Sequence, residues 1–364
     1  MKKILTVVGA RPQFIKIGPV SKALSDVKVF SEVVVHTGQH FDENMSQLFF
    51  QQLDLPTPSY NLGLGGGTHA HQTAQMLLSL EHVFVEEKPD LLLVYGDTNS
   101  TLSAALVAAK MHIPVAHVEA GLRSFNKHMP EEINRILTDH MSSLLFAPSE
   151  IAKRNLCSEG FEKDKIYLTG DVMFDAVAAH LPSSISNKEL LPSLSLKNGD
   201  YALLTLHRAE NTDCDKRLNA LIDELLKLSK LIKIVFPLHP RTRLALERVG
   251  RLDQVSASCV LIPPAGYLEN LQFIKSAAIV LTDSGGMQKE AFFLQTPCVT
   301  LREETEWLET IEIGANSLYS PESSSLITCV ERQLAHFKAS NAEPYGSGDS
   351  SVKIVQYIKN FLKV

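Results

Sequence analysis

Along the chain, short runs of aliphatic and β-branched residues alternate with longer amphipathic stretches. In the first half the runs are ILTVV, VVVH, LLLVYGD, IPVAHVEAG, LLFAPS and IYLTGD. In the second they are YALLTLHR, KIVFPLHP, CVLIPP, AAIVLTD and PCVTLR. Between them, residues 99–111, 130–142, 215–230, 267–276 and 286–295 have the look of helices. Such alternation predicts βαβ units, hence parallel sheets covered by helices on both faces and an α/β fold.

The rhythm breaks at 181–199, LPSSISNKELLPSLSLKNG, where Ser, Pro, Asn and Gly interrupt the period. With 364 residues, more than one hydrophobic core usually organises, two domains are expected. The boundaries are 1–180 for a first Rossmann-like domain, 200–345 for a second, and 346–364 for a C-terminal helix. Ligands of such sheets sit at the carboxyl ends of the strands, so a cleft between facing halves is the expected site. Most polar oddities fall at such ends: Gly9-Ala-Arg-Pro, Gly38-Gln-His, Gly96-Asp-Thr, Glu119-Ala-Gly, His207-Arg, His239-Pro and Asp283-Ser-Gly-Gly.

Composition narrows the class. The chain is 45% hydrophobic and 21% charged, as in ordinary globular proteins. No apolar run approaches the roughly 18 residues of a membrane helix, and the N-terminal apolar stretch reads as a first strand rather than a leader. A cytoplasmic protein without a membrane partner is expected. Five scattered cysteines form no CxxC pair, which argues against a disulfide framework and a zinc knuckle. There is no HExxH, and His69 and His71 read as polar residues of a glycine-rich loop. A net charge of −6 argues against nonspecific nucleic-acid binding but leaves room for an anionic small ligand.

Two stretches carry chemistry. The first, AAIVLTDSGGMQKEA at 277–291, reads as strand, tight turn and helix. Its glycines let a ligand approach the backbone, and the free N–H groups of a helix start favour an anion. A diphosphate on Ser284, Gly285 and Gly286 is one reading; an ordinary serine-capped turn is the other. Glu290 lies where a ribose diol could be accepted. The GxGxxG fingerprint is absent at the first strand and there is no GxxxxGK[ST], so neither NAD nor a P-loop nucleotide is indicated.

In the second stretch, Asp97 follows LLLVYG, Glu119 follows IPVAHV, and Glu131 opens a helix after Met129-Pro130. Pro130, Glu131 and Glu132 suit a helix start, and Glu131 with Arg135 has i,i+4 spacing. Helix-start chemistry leaves Asp97 and Glu119 unexplained. Carboxylates converging from different strand ends suit general acid–base work.

At these residues the chain resembles the non-hydrolysing UDP-N-acetylglucosamine 2-epimerases over essentially its whole length. The resemblance is carried by GARPQFIKIGPV, HTGQHFDENM, VYGDTNSTLSAALVA, HVEAGLRSFN, MPEEINRILTDH, LTGDVMFDA, LTLHRAEN, LTDSGGMQKEA and PYGSGDSS. It implies a glycosyltransferase-B type fold, two Rossmann-like domains facing an inter-domain cleft, with the last helix crossing back to the first domain. It also implies inversion at C2 of a UDP-linked 2-acetamido sugar through elimination and re-addition of UDP, with no metal and no cofactor. Position by position, Arg11 and Lys16 would hold phosphates and sugar, with Arg135 a further substrate-binding candidate. Asp97, Glu119 and Glu131 match the acid–base carboxylates, and His207 the active-site histidine. Ser284, Gly285, Gly286 and Glu290 match the UDP-binding segment. A homodimer acting on a UDP-sugar is the expected assembly.

The chain departs from the commonest pattern at several points. GTRPE is Gly9-Ala-Arg-Pro-Gln13 here, TERPE is Thr305-Glu-Trp-Leu-Glu309, and HRRE is His207-Arg-Ala-Glu210. Ala265 and Asn270 replace a glutamine and a phenylalanine near the uracil, and Arg241 and Arg243 are additional cations. The departures favour the branch acting on UDP-2,3-diacetamido-2,3-dideoxy-glucuronate over UDP-GlcNAc itself. The first alternative is epimerisation of UDP-GlcNAc to UDP-ManNAc, followed by the hydrolysing branch, a glycosyltransferase of the same fold and a non-catalytic UDP-sugar sensor.

Overall fold

Strands that are apolar at every position must be covered on both faces, which is what helix-clad parallel sheets provide. Leu91–Tyr95 and Ile279–Thr282 are buried at every residue. In the computed structural model, which describes residues 1–39, 53, 55–322, 324–339 and 342–364, the chain divides into two compact units. One comprises Met1–Ala179 with Glu343–Val364, the other His180–Ala342. Residues 40–45 of the HTGQHFDENM stretch and the Arg11 side chain lie outside the described part.

The first unit contains strands β1 (Lys2–Val8), β2 (Phe30–His36), β3 (Tyr60–Asn61), β4 (Leu91–Tyr95), β5 (Val115–Val118), β6 (Leu144–Ala147) and β7 (Ile166–Leu168). They form one sheet in the order β3-β2-β1-β4-β5-β6-β7. The second contains β8 (Tyr201–Thr205), β9 (Lys233–Pro237), β10 (Val260–Ile262), β11 (Ile279–Thr282), β12 (Cys298–Thr300) and β13 (Asn316–Leu318), in the order β10-β9-β8-β11-β12-β13. Every described pairing in both is parallel. Each order reverses beside its first strand, the Rossmann arrangement, and ligands of such sheets gather at that reversal. The reversal lies between β1 and β4 in one unit and between β8 and β11 in the other.

The eleven apolar runs all become strands, while the short polar edge strands β3 and β13 have no such pattern. His69 and His71 are not loop residues: they occupy the first turn of helix His69–Glu87, whose start is capped by the Thr68 hydroxyl accepting from His71 N–H. Helix Arg11–Asp26 runs on through Pro19. Helix Val172–Ser184 extends into the Ser/Pro-rich 181–199 stretch, which also holds a short helix at Leu190–Ser193.

Helix Ser350–Leu362 belongs to the first unit and packs on helix Arg11–Asp26. Its start is held by Asp175, whose carboxylate accepts from Ser350 N–H at 3.2 Å and Ser351 N–H at 2.7 Å. Gly170 must be glycine: its φ is +87°, and a Cβ would meet the Tyr345 carbonyl at 2.6 Å.

Candidate active site

In the first unit the site grows from neighbouring strands β4 and β5. Gly96 ends β4 with φ +61°, and a Cβ on it would lie 3.2 Å from Glu119 Oε2 and 3.6 Å from Lys16 Nζ. Glu119, just after β5, has φ +71°, a left-handed backbone on a non-glycine residue. Such strain costs on the order of 1 kcal/mol and marks places where orientation matters more than local comfort. The Glu119 carboxylate is buried and ion-paired to buried Lys16. Lys16, expected to hold phosphate and sugar, thus also neutralises one of the three carboxylates.

Asp97 is clamped differently. Arg135 reaches Asp97 Oδ2 through Nε at 3.0 Å and Nη2 at 2.9 Å, and Glu132 Oε2 through Nη1 at 2.6 Å. Asn134 donates to the Asp97 carbonyl at 2.9 Å. Both residues come from helix Pro130–Met141, which begins with proline and has Glu131 and Glu132 in its first turn. Glu132 accepts from the Ser124 and Phe125 N–H groups, each at 2.9 Å, so it shapes the preceding loop. Glu131 is half-buried, and among the described residues its carboxylate has no hydrogen bond or ion pair.

Behind these groups lies a buried network. His117 Nδ1 faces Asp139 Oδ1 at 2.6 Å and its Nε2 faces the Gly96 carbonyl at 2.8 Å. Arg123 pairs with Asp139 Oδ2 at 2.8 Å, and Gly121 N–H donates to the same oxygen at 3.1 Å. Burial by itself would raise the Asp139 carboxyl, but His117 and Arg123 hold it below its ordinary value. Gln13 joins the ends of β1 and β4: its amide accepts from Gly9 N–H at 2.7 Å and donates to the Tyr95 carbonyl at 2.8 Å.

The second unit builds its site at β8 and β11. Asp283, fully buried, accepts from the His207 and Arg208 N–H groups, each at 2.9 Å, and from Asn211 at 3.1 Å. His207 Nδ1 lies 3.4 Å from Asp283 Oδ1, and its ring centroid is 5.8 Å from that of His239. Ser284 occupies the N-cap of helix Gly285–Phe293, yet its hydroxyl does not cap it, so the serine-cap reading fails. A Cβ on Gly285 would lie 3.3 Å from Trp307 Nε1, 3.8 Å from Glu306 Oε2 and 4.0 Å from Arg208 Nη2. Among the described residues, a Cβ on Gly286 would have only Ser284 Oγ within 4 Å, at 4.0 Å. Glu290 is buried one turn further along the helix. The Arg208 guanidinium has no hydrogen bond or ion pair among the described residues and shares this turn with the Glu306 carboxylate.

Sequence reasoning passed over Arg208, Lys289, His117 and Asp139. Only the histidine–arginine pair at a strand end hinted at Arg208. Arg241 is held by exposed Asp213 at 2.7 Å.

Two parallel Rossmann sheets define an α/β fold of the glycosyltransferase-B type, with clustered carboxylates on one unit and a glycine turn at a helix start on the other. The family model for UDP-N-acetylglucosamine 2-epimerase matches residues 22–359. A Pseudomonas aeruginosa UDP-2,3-diacetamido-2,3-dideoxy-D-glucuronate 2-epimerase is 48% identical over 98% of this chain and 99% of its own. A Methanocaldococcus jannaschii UDP-N-acetylglucosamine 2-epimerase is 45% identical over 98% of each chain. The crystal structure of the M. jannaschii UDP-GlcNAc 2-epimerase in complex with UDP-GlcNAc and UDP matches with a TM-score of 0.92 at 45% identity, covering 98% of this chain and 99% of that one. The Neisseria meningitidis enzyme bound to UDP-GlcNAc matches at 0.89 with 32% identity, covering 98% and 100%. This chain belongs to the UDP-N-acetylglucosamine 2-epimerase family, a family of isomerases.

Proposed function

We propose that the enzyme inverts C2 of a UDP-linked 2-acetamido sugar from gluco to manno, for a surface-polysaccharide precursor. The C2 proton is removed as the C1–O bond to UDP breaks, giving a 2-acetamidoglucal. UDP then adds back at C1 while a proton reaches the opposite face of C2. The observation that carries this reading is the set of three carboxylates in three electrostatic settings. Asp97 is clamped by Arg135, Glu119 is buried against Lys16, and Glu131 is unpartnered among the described residues. Carboxylates with different surroundings can divide acid from base, which a reaction needing both a proton acceptor and a proton donor requires. Departure of UDP calls for cations, and Lys16 in one unit and Arg208 in the other are candidates, with Ser284, Gly285, Gly286 and Glu290 taking the nucleotide.

For the sugar, UDP-2,3-diacetamido-2,3-dideoxy-glucuronate is the proposed substrate and UDP-GlcNAc the alternative. The 48% identity to the P. aeruginosa enzyme of that name and Trp307 in place of arginine support the choice. Turnover in D2O should place deuterium at C2 of product and recovered substrate, with nucleotide sugar persisting. Stoichiometric free sugar plus UDP would mean hydrolysis instead. Equal or better kcat/KM on UDP-GlcNAc, in a side-by-side assay, would return the enzyme to the parent substrate.

The working form proposed is a cytoplasmic homodimer. Five free cysteines suit a reducing compartment. Exposed Leu78, Ile133 and Leu137 lie on helices that flank Asn99–Lys110 on either side, a face suited to a second copy.

A further inference from the structure

Lys289 and Trp307 form a buried pair beside the Gly285 turn. Lys289 is 1% exposed and Trp307 6%. The Lys289 ammonium sits 3.9 Å from the centre of the Trp307 ring. Lys289 follows Gly285 by four residues in the same helix, so both share one helical face, and Trp307 lies across it. The indole edge that points toward Gly285 is its N–H, with Nε1 3.3 Å from where a Cβ would be.

We propose that Trp307 is a nucleotide-binding residue whose indole N–H is donated to the diphosphate at the Gly285 turn, with Lys289 as the cation beneath the ring. The proposal rests on the reading that Ser284–Gly286 receives the UDP diphosphate. Three facts favour it. An ammonium on the face of an aromatic ring draws charge from the N–H edge and strengthens it as a donor. A donor to an anion is worth most where water is excluded, and both side chains are buried. Gly285, which a side chain would crowd against Nε1, leaves room beside that N–H, with Arg208 Nη2 4.0 Å and Glu306 Oε2 3.8 Å from the same point. The ammonium stays behind the ring, so what the ring presents to the diphosphate is its N–H. An arginine at 307 would instead present its own charge directly, so the exchange alters which further anions the pocket accepts.

Trp307 is the only tryptophan, so its emission reports on this position alone. The full-length protein is titrated with UDP while heat and tryptophan emission are followed in parallel. The expected result is a saturable emission change with the same midpoint as the heat. Heat of binding with unchanged emission overturns the role of Trp307 and leaves the nucleotide reading standing. Neither heat nor emission change overturns both. Trp307→Phe keeps a ring over Lys289 and removes the N–H; UDP affinity should fall roughly ten-fold or more. Lys289→Met keeps the N–H and removes the cation, with an expected fall of about three- to ten-fold. Calorimetric affinity unchanged in Trp307→Phe refutes the donor role, whatever Lys289→Met does.

Discussion

Glu119 shows how a single residue makes a buried ion pair at local backbone expense. Its left-handed backbone is unfavourable for a glutamate, yet it turns the carboxylate onto Lys16 beside Gly96. Carboxylates at the ends of β4 and β5 were visible as sequence, because charge after an apolar run stands out. Their partners were not: Lys16 lies 103 positions from Glu119, and Arg135 lies 38 from Asp97. Only folding brings such residues together. If Asp97 and Glu131 transfer protons, Asp97→Asn and Glu131→Gln should each lower kcat by about 10²-fold or more, read by steady-state kinetics with circular dichroism confirming the fold. A near-normal rate in either variant removes that residue from the chemistry. Asp139 makes a stability prediction. Its folded pKa is depressed below its ordinary 3.8, so its contribution is present above that value and is lost as pH falls through the folded one. Asp139→Asn leaves His117 and Arg123 facing a neutral amide and should cost about 3 kcal/mol at pH 7. Denaturant midpoints measured from pH 7 down to pH 3 should show the gap to the parent protein narrowing only at the acid end.

At the scale of elements, strands were the most legible because burial on both faces leaves an unbroken apolar signature. β3 and β13 lacked it, being two and three residues long at sheet edges. Periodicity alone did not single out helix Arg11–Asp26: Pro12 suits a first turn, but Pro19 normally signals a break. The glycines before Thr68 likewise disguised the start of helix His69–Glu87, which a threonine hydroxyl supplies. The C-terminal helix Ser350–Leu362 depends on a cap from elsewhere in the chain, since Asp349 makes no side-chain cap bond. Asp175, 175 and 176 residues away, accepts from its first two N–H groups. Asp175→Ala should therefore destabilise the protein by about 1–2 kcal/mol and raise proteolytic clipping within 343–364, detectable by mass spectrometry.

For the whole molecule, two Rossmann units divide the labour proposed here, carboxylates on one and nucleotide on the other. Exposed Leu78, Ile133 and Leu137 on the first unit give the assembly its test. Light scattering should report a mass twice the 40.2 kDa chain, and Ile133→Glu with Leu137→Glu should return it to the monomer value. A parent protein that is monomeric at micromolar concentration would sink the dimer.

Periodicity and motif order determined the α/β class, the parallel sheets and the family, because each is written in neighbouring residues. Tertiary structure decided the state of each group within the site. It set Asp97 in an arginine clamp and Glu119 in a lysine pair, left Glu131 without a described partner, and put Lys289 under Trp307. The physical reason is range. A helix face or a buried strand follows from spacings of a few residues, whereas ionisation and partner choice follow from burial and from charges that only the folded chain brings within a few ångströms.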